Sequence, residues 1–425
     1  MAASGDSGAT PPRVAVVGAG ISGLTAASRL ARGGCTVTVY ETGRGPGGRT
    51  STRRAGPDGA GWQFDHGAQY FSAKDPAFRA IVEDWRADGL VAKWEGTFGT
   101  LDATTGTFVL EASQTKERWV GTPSMNAVAK GLARRSGISL VTSRRVTSFE
   151  GGPGVGDGSW TVTHRSSAPT TRTDANGDPA PEPPQRDAGF VAVVAADKQA
   201  ASDRSIRVYG EDPPMASAAA PAVWEGMRAS GQTPSFALML AVKKKGGADA
   251  ARLFQFQGAT VVGDDVVAWI ADDSSKPGRP TGAADADVTC WVAQSTPAYA
   301  ERRFKAMATV PGTAPHQVLL NEVAEEMTEA LLALAAKCVG GGPGDAFNVE
   351  IAHVAAHRWG AAFPDDGAVA AATASGNGCL SDAERRVVGC GDFCVSPKIE
   401  GAALSGAAAA ARVAEMIAEM PAASL

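Results

Sequence analysis

Arg13-Val-Ala-Val-Val-Gly18-Ala-Gly20-Ile-Ser-Gly23-Leu24 is the stretch that decides the fold. A run of β-type apolar residues, 13–17, meets a glycine-rich turn and then a helical pattern over about 21–32. Residues 35–40 follow as a second alternating strand with Val37 and Val39 on one face, so the chain opens as a βαβ unit. The glycines have the spacing G-x-G-x-x-G. Gly18 permits the tight turn, Gly20 leaves room for a pyrophosphate, and Gly23 allows close helix–strand packing. The free N–H groups and positive end of the helix then face an anion. Glu41 ends the second strand, where a carboxylate binds both ribose hydroxyls and disfavours a 2′-phosphate. A lone glycine motif is weak, since a ligand-free turn can look the same. Here strand, helix, second strand and terminal acid occur together.

Two further segments lengthen the expected ligand. Gly43-Arg44-Gly-Pro-Gly47-Gly48-Arg49 places a second, arginine-bearing loop directly after Glu41. Such a loop suits a dinucleotide whose redox ring lies deep in the protein, with Arg49 meeting phosphate through bidentate hydrogen bonds; the plainer reading is a solvated basic loop. Far along the chain, Val387-Val-Gly-Cys-Gly391-Asp392 reads as a strand ending in Gly-Asp, followed by Ile399-Glu400-Gly401-Ala402 and an Ala-rich helix over 401–420. A helix start near Gly401 aims N–H groups at the N1/O2 edge of a flavin, where the reduced ring carries negative charge. Asp392 is a candidate acceptor for a cofactor hydroxyl, or else an ordinary turn carboxylate. The nucleotide is therefore read as FAD.

The bulk composition has an ordinary soluble globular balance: 425 residues, 44% hydrophobic, 20% charged, formal net charge −5. No basic cluster points to nucleic acid. No apolar run reaches the ~18 residues of a membrane span, and 1–12 reads as a disordered lead-in without a secretory signal. Six scattered cysteines suit a reducing compartment, either the cytoplasm or an organelle such as a plastid if a presequence has been removed. Cys390 and Cys394 have no further partners for a zinc set, so no metal site is expected. The expected class is α/β: a discontinuous Rossmann-like FAD-binding domain (13–75, 120–204 and 380–425) with an inserted mixed α+β substrate domain (76–119 and 205–379). Residues 165–187, rich in Pro, Ser and Thr, read as a low-complexity surface insertion.

These segments together resemble the amine-oxidase-like flavoproteins, and within them the renalases, especially the bacterial ones. Asp65-His-Gly67-Ala68-Gln69-Tyr70-Phe71, Arg118-Trp-Val-Gly121, Ser275-Lys276-Pro-Gly-Arg279 and His357-Arg-Trp359 carry the likeness over most of the chain except 151–187. His66 stands where that family more usually has Leu. The resemblance implies that Gly18, Gly20, Ser22, Gly23, Glu41, Arg49, Ala68, Gln69, Val146, Gly391 and Asp392 contact a non-covalent FAD, Val146 through its backbone to the adenine. Arg44, Gly48, Gly67, Glu400, Gly401 and Ala402 lie in the same motifs and join the cofactor set.

No second strand–G-x-G-x-x-G–helix unit appears, so electrons are expected from the substrate itself, with O2 as acceptor. A renalase-like oxidase acts on small-molecule donors, the 2- and 6-dihydro isomers of NAD(P), giving NAD(P)+ and hydrogen peroxide. Gln69, Tyr70, Arg279, His357 and Trp359 are the substrate-side candidates: rings to stack on a nicotinamide and a guanidinium for a phosphate. The other readings are an amine oxidase or desaturase of the same class, and a non-catalytic FAD-binding subunit of an assembly with a protein partner.

Overall fold

The computed structural model describes residues 10–56, 61–112, 116–168, 182–244, 253–280, 288–306, 313–340, 349–365 and 377–421. The lead-in up to residue 9 and residues 169–181 of the expected insertion lie outside them. The chain divides into two compact units. One comprises Met1–Gly48, Ala129–Gly231 and Asp365–Leu425; the other comprises Arg49–Val128 and Gln232–Pro364. Residues 49–75, expected in the nucleotide domain, thus belong to the second unit, and 205–231 belong to the first.

The first unit is built on a six-stranded sheet in which Arg13–Val17 is central. It pairs in parallel with Thr36–Tyr40 on one side and Ala192–Ala195 on the other. Ile138–Val141 and Val387–Gly389 extend the parallel sheet outwards, and Leu380–Asp382 closes one edge antiparallel. Val14, Val16, Val37 and Val39 are wholly buried, as in a parallel sheet covered on both faces. The helix Ile21–Arg32 is buried on nearly all sides, nine of its twelve residues including Leu24, Ala27 and Leu30, and stops at Gly33, with Gly34 at φ +92°. It lies against the C-terminal helix Ile399–Ala418 so closely that a Cβ on Gly406 would sit 2.2 Å from the Ser22 carbonyl oxygen.

Trp160–Ser166 is a strand between two antiparallel neighbours, Arg144–Gly151 and Gln185–Phe190. The described end of the expected insertion is therefore not loop. Gln185–Phe190 is mostly polar because five of its six residues are exposed or half-buried, which hides the strand from a hydrophobicity reading.

The second unit carries a seven-stranded sheet in the order Val349–Pro364, Gln232–Lys244, Val288–Ser295, Val267–Asp272, Gly258–Val262, Phe98–Asp102, Phe108–Leu110. All pairs are antiparallel except Gly258–Val262 with Phe98–Asp102. The helix Ala314–Cys338 covers one face, burying Leu319, Val323, Met327, Leu331 and Leu334 at helical spacing against Phe236, Leu238 and Trp291. The helix Pro76–Ala87 is specified locally. Asp75 accepts from the N–H groups of Ala77 (2.8 Å) and Phe78 (3.2 Å), Pro76 sits in its first turn, and Phe78, Ile81, Val82 and Trp85 form its buried stripe.

Candidate functional site

In the first unit the three glycines of the opening turn have different surroundings. Gly18 adopts φ +103°, and a Cβ there would lie 2.9 Å from Asp197 Cβ. A Cβ on Gly23 would fall 2.0 Å from the Gly18 carbonyl oxygen. Gly20 differs: its φ is −79°, ordinary for any residue, and no described atom lies within 4 Å of an added Cβ. Among the described residues nothing demands glycine there. The space beside Gly20 opens at the start of the Ile21–Arg32 helix, which no side chain caps.

Glu41 stiffens this turn. Its two oxygens accept from Ala19 N (2.9 Å) and Gly43 N (2.6 Å). Burial raises its carboxyl above the ordinary range, and those two N–H donors oppose the rise. The following loop folds back on the motif: Gly47 N donates to Ala19 O at 2.9 Å, and Gly48, at φ +52°, points an added Cβ at Gly20 Cα, 3.6 Å away. Arg44 is exposed on that loop. Val146 is buried beside Val17 and Tyr40, and the ladder slips between Val146 and Ser148. Such a bulge re-aims the local backbone, the feature a backbone contact to adenine needs.

At the other end of the sequence, Gly391 N donates to Ser405 Oγ at 3.0 Å, and a Cβ on Gly391 would strike the Phe393 ring at 2.3 Å. Asp392 is buried in the turn that follows. The helix Ile399–Ala418 starts at Lys398 with no side-chain cap, carrying Glu400 in its first turn and Ala402 half-buried. Gly401 is buried against Ser396, where a Cβ would lie 2.1 Å from its carbonyl oxygen.

The remaining candidates lie in the second unit. Arg49 donates to Ala362 O at 3.0 Å, and its own carbonyl accepts from Ala68 N at 2.9 Å. Gly67 has no room for a side chain, since a Cβ would sit 1.9 Å from Arg49 O; its carbonyl accepts from Gln294 Nε2 at 2.6 Å. Trp359 donates its indole N–H to His66 O at 2.8 Å and stacks on the His66 ring at 5.2 Å. His357 packs edge-on to both rings, at 4.6 and 4.5 Å. Burial pushes His66 down to about 4, helped by Arg53. Burial followed by His66 pushes His357 down to about 3. Both imidazoles are neutral near neutral pH, so this is an uncharged three-ring cluster. Tyr70 is half-buried, 5.5 Å from the Trp269 ring and 5.3 Å from the Arg118 guanidinium.

Arg279 corrects an expectation. Its side chain is only 4% exposed and fully engaged. It donates to both Asp65 and Asp273 carboxylates, to Pro123 O at 2.7 Å, and to Asp273 O at 3.0 Å. Two carboxylates hold the guanidinium in its charged form, and none of these contacts leaves it turned to a substrate phosphate. Gln69 is likewise committed inward, to Asp65 O, to Gly67 O and to Lys276. Asp65, Gln69, Lys276 and Arg279 stand in the segments that carry the family likeness and Asp273 just outside them, and the pairing of Asp65 with Lys276, Arg279 and Asp273 has no signature in sequence spacing.

Among the described residues no helix is long and apolar enough to cross a membrane. The family described as an NAD(P)-binding Rossmann-like domain matches residues 16–85. A hydroxyneurosporene desaturase of Cereibacter sphaeroides is 56% identical over 52 residues, a match that spans 12% of this chain and 10% of the desaturase. Two solved structures of putrescine oxidase share the fold over 96% of this chain. One is a triple mutant redesigned in cofactor binding (TM-score 0.58, 15% identity, 99% of that chain), the other the wild type bound to putrescine (TM-score 0.58, 14% identity, 100% of that chain).

Proposed function

We propose that this chain is an FAD-dependent oxidoreductase of the amine-oxidase type, and within that class a renalase-like oxidase of 2- and 6-dihydro isomers of NAD(P). The observation that carries the cofactor is Gly20, a glycine that the folded chain does not need and an incoming pyrophosphate does. The uncapped helix start beside it supplies N–H donors and a positive dipole end. Glu41 holds the turn from below and offers its carboxylate to the ribose, Val146 its backbone to the adenine, and Gly391, Asp392 and the Glu400–Ala402 turn their polar groups to the flavin end. Arg44 and Gly48 belong to the loop that folds back on this turn, and by the family likeness Arg49, Gly67, Ala68 and Gln69 would also contact the cofactor.

When bound, FAD would supply a hydride acceptor at the ring, with O2 as the final acceptor and hydrogen peroxide as the product. The chain's part is to orient the donor and exclude competing chemistry. A dihydronicotinamide releases hydride without prior loss of a proton, so no general base is required. His66 and His357, held neutral, match that demand. The Trp359 face favours the cationic ring that forms as hydride leaves. Asp65 and Asp273 are neutralised by Lys276 and Arg279, so neither offers a free carboxylate to a polycation. Tyr70 and Gln69 border the same segment.

The fold shared with putrescine oxidase favours amine oxidation as the second reading. Anaerobic mixing with each dihydronicotinamide isomer, and separately with a panel of amines, tests the choice. The expected result is bleaching of the flavin within seconds by an isomer. Bleaching by an amine alone would transfer the assignment to amine oxidation.

A further inference from the structure

Asp65, Asp273, Lys276 and Arg279 form a quartet of zero net charge with side chains 0–4% exposed. Lys276 Nζ lies 2.5 Å from Asp273 Oδ1, 3.3 Å from Asp65 Oδ2 and 3.3 Å from Gln69 Oε1, over the Trp94 ring at 5.2 Å. Arg279 already braces both carboxylates and the Pro123 carbonyl. Of the quartet's side chains, Lys276 is the one that reaches the Gln69 amide.

An ammonium has only donors, so it selects the oxygen end of a neighbouring amide. With Oε1 turned to Lys276, the Nε2 end of Gln69 folds back on the carbonyls of Asp65 and Gly67. The opposite flip would set NH2 against the ammonium and leave oxygen facing two carbonyls. Gly67 O is shared with Gln294 Nε2, and Ala68 N is tied to Arg49 O. The lock therefore passes from Lys276 through one side chain into the backbone of residues 67–69.

We infer that Lys276 is a positioning residue for the cofactor: by fixing the amide of Gln69 it sets the Gly67–Ala68–Gln69 backbone in the conformation that receives the flavin. The inference rests on the FAD reading above. It goes beyond that reading in assigning a task to a fully buried lysine outside the proposed cofactor and substrate sets.

Three purified variants test it: Gln69→Leu, which changes no charge; Lys276→Met with Asp273→Asn, which keeps the quartet neutral; and all three changes combined. Each is measured for the FAD dissociation constant and for the position and fine structure of the visible flavin bands, beside a thermal melt. The expected result is FAD binding weakened about tenfold in Gln69→Leu and in the Lys276 variant, the scale of one hydrogen bond to a charged group. A matching change in flavin band shape should accompany it, and the combined variant should be no worse than either, because the residues act in series. Unchanged bands and affinity in Gln69→Leu would overturn the inference, as would losses that add in the combined variant. If the Lys276 variant does not fold, Gln69→Leu alone decides. Wild-type protein that takes up no FAD would instead defeat the reading of function on which this stands.

Discussion

Replacing Gly20 and Gly23 separately by alanine should divide two properties that usually fail together. At Gly20 the added methyl meets no described atom within 4 Å, and φ −79° suits alanine. Loss of a tolerable N-cap residue costs about 0.5–1 kcal/mol. The reduced freedom of the unfolded chain returns about 0.4–1 kcal/mol. The apo protein should therefore melt within a degree or two of wild type. At Gly23 the methyl lands 2.0 Å from the Gly18 carbonyl oxygen and 3.0 Å from Ala196 Cβ, both in the tightest part of the unit. Overpacking of that kind costs about 1–3 kcal/mol, a loss of several degrees in Tm.

Cofactor affinity should follow the opposite pattern. A methyl at Gly20 fills the space kept for a pyrophosphate and lengthens at least one N–H-to-phosphate hydrogen bond, worth about 1.5–3 kcal/mol each. FAD binding in Gly20→Ala should then weaken by roughly tenfold to a hundredfold at unchanged apo stability. Differential scanning fluorimetry of apo protein and fluorescence-quench titration with FAD give both quantities. If Gly20→Ala melts as low as Gly23→Ala, or binds FAD as tightly as wild type, the argument that Gly20 serves a ligand is wrong.

Stability should depend on pH through His66. The folded state holds it neutral down to about 4, whereas its ordinary value is 6.5. Between those values the unfolded chain binds more protons, so stability should fall as pH drops from about 6.5 towards 4, by at most about 3 kcal/mol from this group. Urea melts at pH 4.5 and 7 should show that slope, and His66→Leu should lessen it, leaving the part that buried His357 contributes over the same range. Arg279→Met should lower stability by about 3–5 kcal/mol, because it leaves two buried carboxylates facing one lysine; unchanged denaturant midpoints with a raised KM would restore Arg279 to the substrate. Glu41→Gln should cost about 1–3 kcal/mol in apo stability, read by the same melts, since an amide can offer only one acceptor to the two N–H donors of Ala19 and Gly43.

The sequence made the first unit legible where the physics is local. Strand and helix periods, the turn glycines and Glu41 occur within 13–41, and the strand ending in Gly391-Asp392 could be read from its apolar run. What could not be read depends on tertiary placement. Asp65 meets Lys276 and Arg279 from more than two hundred residues away, so a guanidinium in a motif looked available when burial had already committed it. Val349–Pro364, the longest of the described strands, has no strand signature in the sequence because Ala, His and Arg make up much of it and no clean alternation survives. His66 was visible only as an odd residue in a familiar place. Its neutral packing between His357 and Trp359 depends on a strand that pairs with it in space, not in sequence.

The most direct test is the absorption spectrum of the purified chain. The account predicts a yellow protein with flavin bands at about 370 and 450 nm, one FAD per chain, released intact on denaturation because the flavin is non-covalent. A colourless protein that excess FAD does not reconstitute would contradict it.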